Sequence, residues 1–194
     1  MQYHFALERT SDPSVEPLST SEAKDHLRVT GSADDTYIAS LIKVARFVFE
    51  RDTGRALITQ TWEQTMDRWP PDSEILLAVN PVQSISSITY DDTDGNNQTV
   101  TAADYRVDTK SLPAMIVPSY GNSWPSARTQ SNSIKVTFVA GYGDAATDLD
   151  EDSIAAVRLL VGHYYLTREP IGTIATKLPQ TFDWIVDKFK VRDF

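Results

Sequence analysis

Apolar positions along the chain follow two different periods, and the place where one gives way to the other organises everything else. From Asp34, the residues Ile38, Leu41, Ile42, Ala45 and Phe49 fall at i, i+3, i+4, i+7 and i+11, which puts them on one face of a helix. The acids Asp34 and Asp35 suit its positive end, with Asp34 expected to accept hydrogen bonds from the first turn. Gly54 supplies the residue that leaves a helix with positive φ. About nineteen residues at ~1.5 Å each give a rod of roughly 28 Å. Val44, Phe47 and Val48 lie off the stripe, so this helix carries apolar surface for more than one neighbour. Beyond Gly54 the period drops to two: Ile58, Gln60, Trp62, Gln64 and Met66 alternate with Thr59, Thr61, Glu63 and Thr65, as in a strand.

Ahead of the long helix, Ser19-Thr20-Ser21-Glu22 matches a capping box, in which hydroxyl and carboxylate satisfy each other's neighbouring N–H groups. It predicts a short helix to about Val29, with Gly31 beyond and Ala23, Leu27 and His26 toward the long helix. Pro13 and Pro17 make residues 1–18 an extended arm. After the period switch, strands are predicted at Ile75–Val79, Ile85–Asp91, Asp104–Asp108, Ala114–Val117 and Ile134–Ala140. Asp94-Gly95-Asn96 marks a hairpin, and Asn80-Pro81 a break. A second helical stretch runs from about Asp152 to Thr167 or Arg168, apolar on nearly every side, and stops before Pro170. A last one places Phe182, Ile185, Val186 and Phe189 at i, i+3, i+4 and i+7. The pattern therefore predicts an α+β fold: a helical bundle of about four helices (19–56 and 148–194) with an inserted small antiparallel, sandwich-like β domain (57–147).

Composition adds little to this and removes several alternatives. The 194 residues are 41% hydrophobic and 23% charged, enough for a core without staples. Without cysteine there is no disulfide framework and no thiolate metal site. No basic segment precedes an apolar block, and no run of ~18 apolar residues occurs, so a soluble chain without membrane association is expected. The net charge of −9 disfavours a phosphate-binding surface, and the basic residues near the end, Lys188, Lys190 and Arg192, alternate with Asp187 and Asp193 as on a solvated helix face.

Candidate chemistry is thin. His4, His26 and His163 lie far apart in the chain and none has a second histidine at helical spacing, so no zinc site is written. Gly141-Tyr142-Gly143 lacks the remaining features of a phosphate-binding loop and reads as a turn. The acidic run Asp148–Asp152 lacks a calcium loop's glycine and terminal Glu, and reads as the start of a helix. No nucleophile motif is present, so neither a catalytic residue nor a cofactor is assigned. Trp62, Trp69, Trp124 and Trp184 could stack a sugar, or could simply pack.

Several ordered segments do carry a resemblance. These are Asp34-Asp35, then Thr53-Gly54-Arg55-Ala56-Leu57, Gln60-Thr61-Trp62, and Pro81-Val82 before Ser84-Ile85-Ser86-Ser87-Ile88-Thr89-Tyr90. Farther on come Tyr105-Arg106-Val107-Asp108, Trp124-Pro125, Phe138-Val139-Ala140-Gly141-Tyr142-Gly143-Asp144, Leu160-Val161-Gly162-His163-Tyr164-Tyr165 and Arg168-Glu169-Pro170. Their order over residues 18–194 resembles the head-tail connector, or adaptor, family of tailed bacteriophages. The resemblance implies a non-enzymatic structural protein of the virion, a ring of twelve subunits beneath the portal protein. Such a ring presents its other face to head-closure or tail proteins and lets DNA pass through its lumen without sequence-specific binding. It also implies that the C-terminal segment docks on the portal, with Phe182, Trp184, Phe189, Val191, Arg192 and Phe194 as candidates. Subunit contacts are expected at Val44, Phe47, Val48, Tyr164 and Tyr165. The competing reading is a ligand- or carbohydrate-binding β module on a helical base, built on Trp62, Trp69 and Trp124.

Overall fold

A computed structural model describes residues 4–167 and 180–191. The chain divides into two compact units: one of residues 1–12, 59–141 and 191–194, the other of residues 13–58 and 142–190.

Among the described residues the β unit holds eight strands: β1 (Phe5–Ser11), β2 (Gln60–Met66), β3 (Ile75–Leu76), β4 (Val82–Asp91), β5 (Asn97–Thr99), β6 (Tyr105–Asp108), β7 (Met115–Pro118) and β8 (Ile134–Ala140). They form a five-stranded sheet in the order β1-β2-β8-β4-β5 and a three-stranded sheet in the order β3-β7-β6. Every pairing is antiparallel. The alternation in β8 is typical, with Ile134, Val136, Phe138 and Ala140 buried and the residues between them less so, because successive side chains point to opposite faces. Gln64 ties the sheets together: its Nε2 donates to the Leu76 carbonyl at 2.9 Å and its Oε1 accepts from the Ala78 N–H at 3.0 Å. Asn80, fully buried, does similar work on the Leu77 carbonyl and the Ala114 N–H. The hairpin expected at Asp94-Gly95-Asn96 joins β4 to β5, with Asp92 Oδ1 accepting from the Asp94 and Asn96 N–H groups. Its return strand β5 is a strand the sequence pattern does not announce, since Asn97, Gln98 and Thr99 are all exposed and polar.

One expectation for the first residues is corrected. Residues 5–11 are not a free arm but β1, the edge strand paired along β2. The prolines that suggested an arm begin at Pro13, after the strand, so they restrict the chain beyond it rather than within it.

The helical unit consists of α1 (Thr20–Leu27), α2 (Asp35–Thr53), α3 (Glu151–Leu166) and α4 (Gln180–Phe189). The capping box forms as predicted: Ser19 Oγ accepts from the Glu22 N–H, and Glu22 Oε2 accepts from the Ser19 N–H at 2.9 Å. Its helix ends close to the expected Val29, capped by Arg28 in the left-handed region with φ 56°. Gly54 closes α2 with φ 70° and its N–H on the Glu50 carbonyl. Asp34 makes no side-chain cap; its carboxylate instead accepts from the Tyr165 hydroxyl at 2.5 Å, fastening the start of α2 to α3. The core gathers Ile38, Ile42, Ala45 and Phe49 of α2 with Ala156, Val157, Leu160 and Val161 of α3 and Phe182 and Phe189 of α4. Gly143 is needed in the turn before α3, since a Cβ there would sit 2.2 Å from Asp148 Oδ2, the oxygen that accepts from the Ala145 N–H.

Candidate functional site

With the core accounted for, the apolar side chains left outside it define the candidate interaction surfaces. On α2, Val44 is 47% exposed and Phe47 50%. Val48 is buried in the core, so of the three off-stripe residues it is not available at the surface. A helix turns 100° per residue, and Val48 falls beside the apolar stripe whereas Val44 and Phe47 fall opposite it. Tyr164 and Tyr165 on α3 are half-buried. Tyr165 packs on Tyr37, centroids 6.2 Å apart, and burial pushes the Tyr164 phenol above its ordinary pKa against the pull of the nearby Arg51.

The C-terminal candidates separate in the same way. Phe182 and Phe189 are buried, each in an edge-to-face contact with Phe49 at 6.5 and 5.8 Å. They are core anchors and cannot serve as free docking groups in this fold. Arg55 reinforces the arrangement: Nε donates to the Phe189 carbonyl at 2.5 Å and Nη1 to the Tyr142 hydroxyl at 2.8 Å. Trp184, by contrast, is 71% exposed. Val191 is half-buried, and Arg192 and Phe194 lie outside the described residues.

The side chains that might have carried chemistry are engaged structurally. Trp69 and Trp124 stack on one another, 4.6 Å between centroids and 6° between planes, and their indole N–H groups donate to the carbonyls of Pro125 and Ser73. Neither lines the open depression of about 480 Å³ in the β unit, whose walls include Tyr90, Thr101, Asp104 and Asn122. His26 lies over Gly162, where an added Cβ would come within 3.2 Å of Nε2, and burial, then Arg158, depress its pKa. In the acidic run, Asp152 forms an ion pair with Lys188. Among the described residues no group of three or more His, Asp or Glu side chains has the geometry to hold a metal, and no helix is long and apolar enough to cross a membrane.

The family model of phage gp6-like head-tail connector proteins matches residues 19–114, from the N-terminus of α1 to the start of β7. Over residues 19–114, about half of its length, the chain belongs to the head-tail connector family. It is accordingly a structural protein of the virion that joins head to tail, and not an enzyme. No curated protein sequence matches the connector. Solved structures do. A chain in the neck of an empty gene transfer agent (GTA) particle computed with C6 symmetry is 24% identical, covers 97% of each chain and has a TM-score of 0.81. A chain of the native GTA virion is 24% identical over 97% of this chain and 96% of that one, TM-score 0.79. One in the native GTA neck computed with C12 symmetry is 23% identical over 97% of both, TM-score 0.80. At these identities the likeness is one of fold, and it extends over nearly the whole connector.

Sequence reasoning missed the connector's most constrained polar group. Arg46 and Glu50, only 5% and 7% exposed, pair at 2.8 Å through Nη1 and Oε2, and Arg46 Nε meets Glu16 Oε2 at 2.8 Å. Burial opposes the Arg46 charge, but its bonds to Glu16 and Glu50 prevail and hold its pKa above the ordinary value. Glu50 Oε1 accepts from the Leu57 N–H at 2.9 Å. The signal available was the i, i+4 spacing of opposite charges on the flank of the apolar stripe.

Proposed function

We propose that the connector assembles as a ring in the virion neck, twelve subunits on the portal protein, with head-closure or tail proteins on its other face and DNA passing through the lumen. The observation that carries this reading is a connector-family helical unit whose core is complete and which still exposes Val44, Phe47 and Trp184. A ring needs such surplus, because each subunit meets two neighbours through different patches. The solved chains of the same fold come from particle necks computed with C6 and C12 symmetry, which supports a ring of that order. A net charge of −9 suits a passage that should not hold phosphate. With Phe182 and Phe189 committed to the core, the portal contact is assigned to Val191, Arg192 and Phe194.

The test is co-migration with the cognate portal by size exclusion, with electron microscopy of the complex. A stable complex carrying a ring is expected, and truncation after Lys190 should weaken it at least tenfold without lowering the melting temperature. Absence of any complex with the portal would overturn the reading. A truncated chain that binds as well as the full one would overturn the assignment of the portal contact.

A further inference from the structure

The two exposed helical patches are chemically complementary. On α2 the exposed positions Ser40, Lys43, Val44, Phe47 and Arg51 recur at i, i+3, i+4, i+7 and i+11, so they share one face. That face is apolar in the middle and cationic on either side. Arg51 touches Asp52 at 2.7 Å yet keeps its side chain 60% exposed. On α4 the exposed positions Gln180, Asp183, Trp184 and Asp187 fall at i, i+3, i+4 and i+7, an acidic face with an indole in the middle. The basic neighbour on this helix, Lys188, is engaged by Asp152.

The faces also point in opposite directions. Phe49 sits at the middle of the inner face of α2, and its ring meets Phe182 and Phe189, the middle of the inner face of α4. Val44 and Phe47 lie about 140–160° around α2 from Phe49, and Trp184 and Asp187 about as far around α4 from Phe182, at ~100° per residue. The two stripes therefore occupy opposite sides of one helical unit. Two different, complementary patches on opposite sides are what a head-to-tail contact requires.

We propose that the Lys43-Val44-Phe47-Arg51 stripe of one copy receives the Asp183-Trp184-Asp187 stripe of the next, with Trp184 seated between Val44 and Phe47 and the carboxylates against Lys43 and Arg51. This rests on the ring reading and says which surfaces close the ring. It takes Trp184 from the portal contact and gives it to the neighbouring subunit. Exposed aromatic anchors of this kind dominate association energetics, while the flanking charges set register and exclude like-charged partners.

The chain has no cysteine, so introduced thiols report without background. Rings assembled on the portal from a mixture of Phe47→Cys and Trp184→Cys chains should yield a disulfide between the two variants and none within either. Charge reversal gives an independent readout. Lys43→Glu with Arg51→Glu, or Asp183→Lys with Asp187→Lys, should each lower ring assembly roughly tenfold or more, and all four together should restore it, with melting curves recorded beside each variant to show that the subunit stays folded. Rings that form without the mixed disulfide and without rescue would overturn the pairing while leaving the ring intact. Phe47→Cys homodimers, or a link from Phe47→Cys to a cysteine placed on the portal or a tail protein, would overturn it in favour of another occupant. Failure of the unmodified chain to form rings even on the portal would bring down the ring reading, and the pairing with it.

Discussion

In the helical unit the N–H of Leu57 is met by a carboxylate, Glu50, whose other oxygen holds Arg46. In the β unit the N–H groups of Ala78 and Ala114 are met by neutral amides, those of Gln64 and Asn80. All four side chains are buried, and three of them, Glu50, Gln64 and Asn80, satisfy main-chain donors just outside regular elements. The difference lies in what each leaves behind if a partner is lost. An amide that loses one bond leaves an unsatisfied neutral group. A guanidinium removed from between two carboxylates leaves buried charge, whose desolvation is far costlier. The helical unit is therefore held by an all-or-none ionic junction, and the β unit by separable neutral ties.

Removing the charge tests this most severely. Arg46→Met should cost about 3–5 kcal/mol in urea denaturation, because Glu16 and Glu50 lose their counterion. Arg46→Met with Glu50→Gln should recover part of that, since the amide oxygen can still accept from Leu57. A single variant that costs under ~1 kcal/mol, or a pair that costs as much as the single, would remove the contrast between the units.

A smaller effect is expected on the neutral side. Gln64→Leu should cost about 1–3 kcal/mol, the penalty for leaving the Ala78 N–H without its acceptor, and the loss should not depend on salt. A loss equal to that of Arg46→Met would show that charge is not what separates the two junctions.

The smallest effect is at the surface. Ser19→Ala should cost about 1 kcal/mol at neutral pH. The Ser19 hydroxyl, and after it the Ser19 N–H, hold the Glu22 carboxyl below its ordinary value of 4.5. The carboxylate's share of the box is therefore present above that value and fades as pH falls through the lower folded one. Thermal melts of the wild type and the variant should converge in acid. A difference that stays constant from pH 7 to pH 3 would mean that Glu22 plays no part.

Much of the architecture was legible because it rests on local rules. Periodicity located α2 and the alternating strands β2 and β8, the capping box set the start of α1, and Gly54 and Asp94-Gly95-Asn96 marked where the chain must turn. The start of α2 was legible while its fastening was not. Asp34 has the composition of a cap, but its carboxylate is taken by Tyr165, 131 residues away. The edge strand β1 escaped notice because five of its seven residues are exposed and nothing local distinguishes it from an extended arm.

The candidate site divides along the same line. Sequence alone determined that α2 carries more apolar surface than one core can use, because periodicity fixes which side chains share a face. It could not determine which of Val44, Phe47 and Val48 remain outside, nor that Phe182 and Phe189 are committed to Phe49 while Trp184 is left exposed. Those depend on where α3 and α4 lie against α2, and burial is a property of the neighbours rather than of the helix itself. Tertiary packing likewise decided that Arg46 and Glu50 are an internal junction and not one more solvated pair, since identical i, i+4 charges are worth a few tenths of a kcal/mol at a surface and several kcal/mol to break inside.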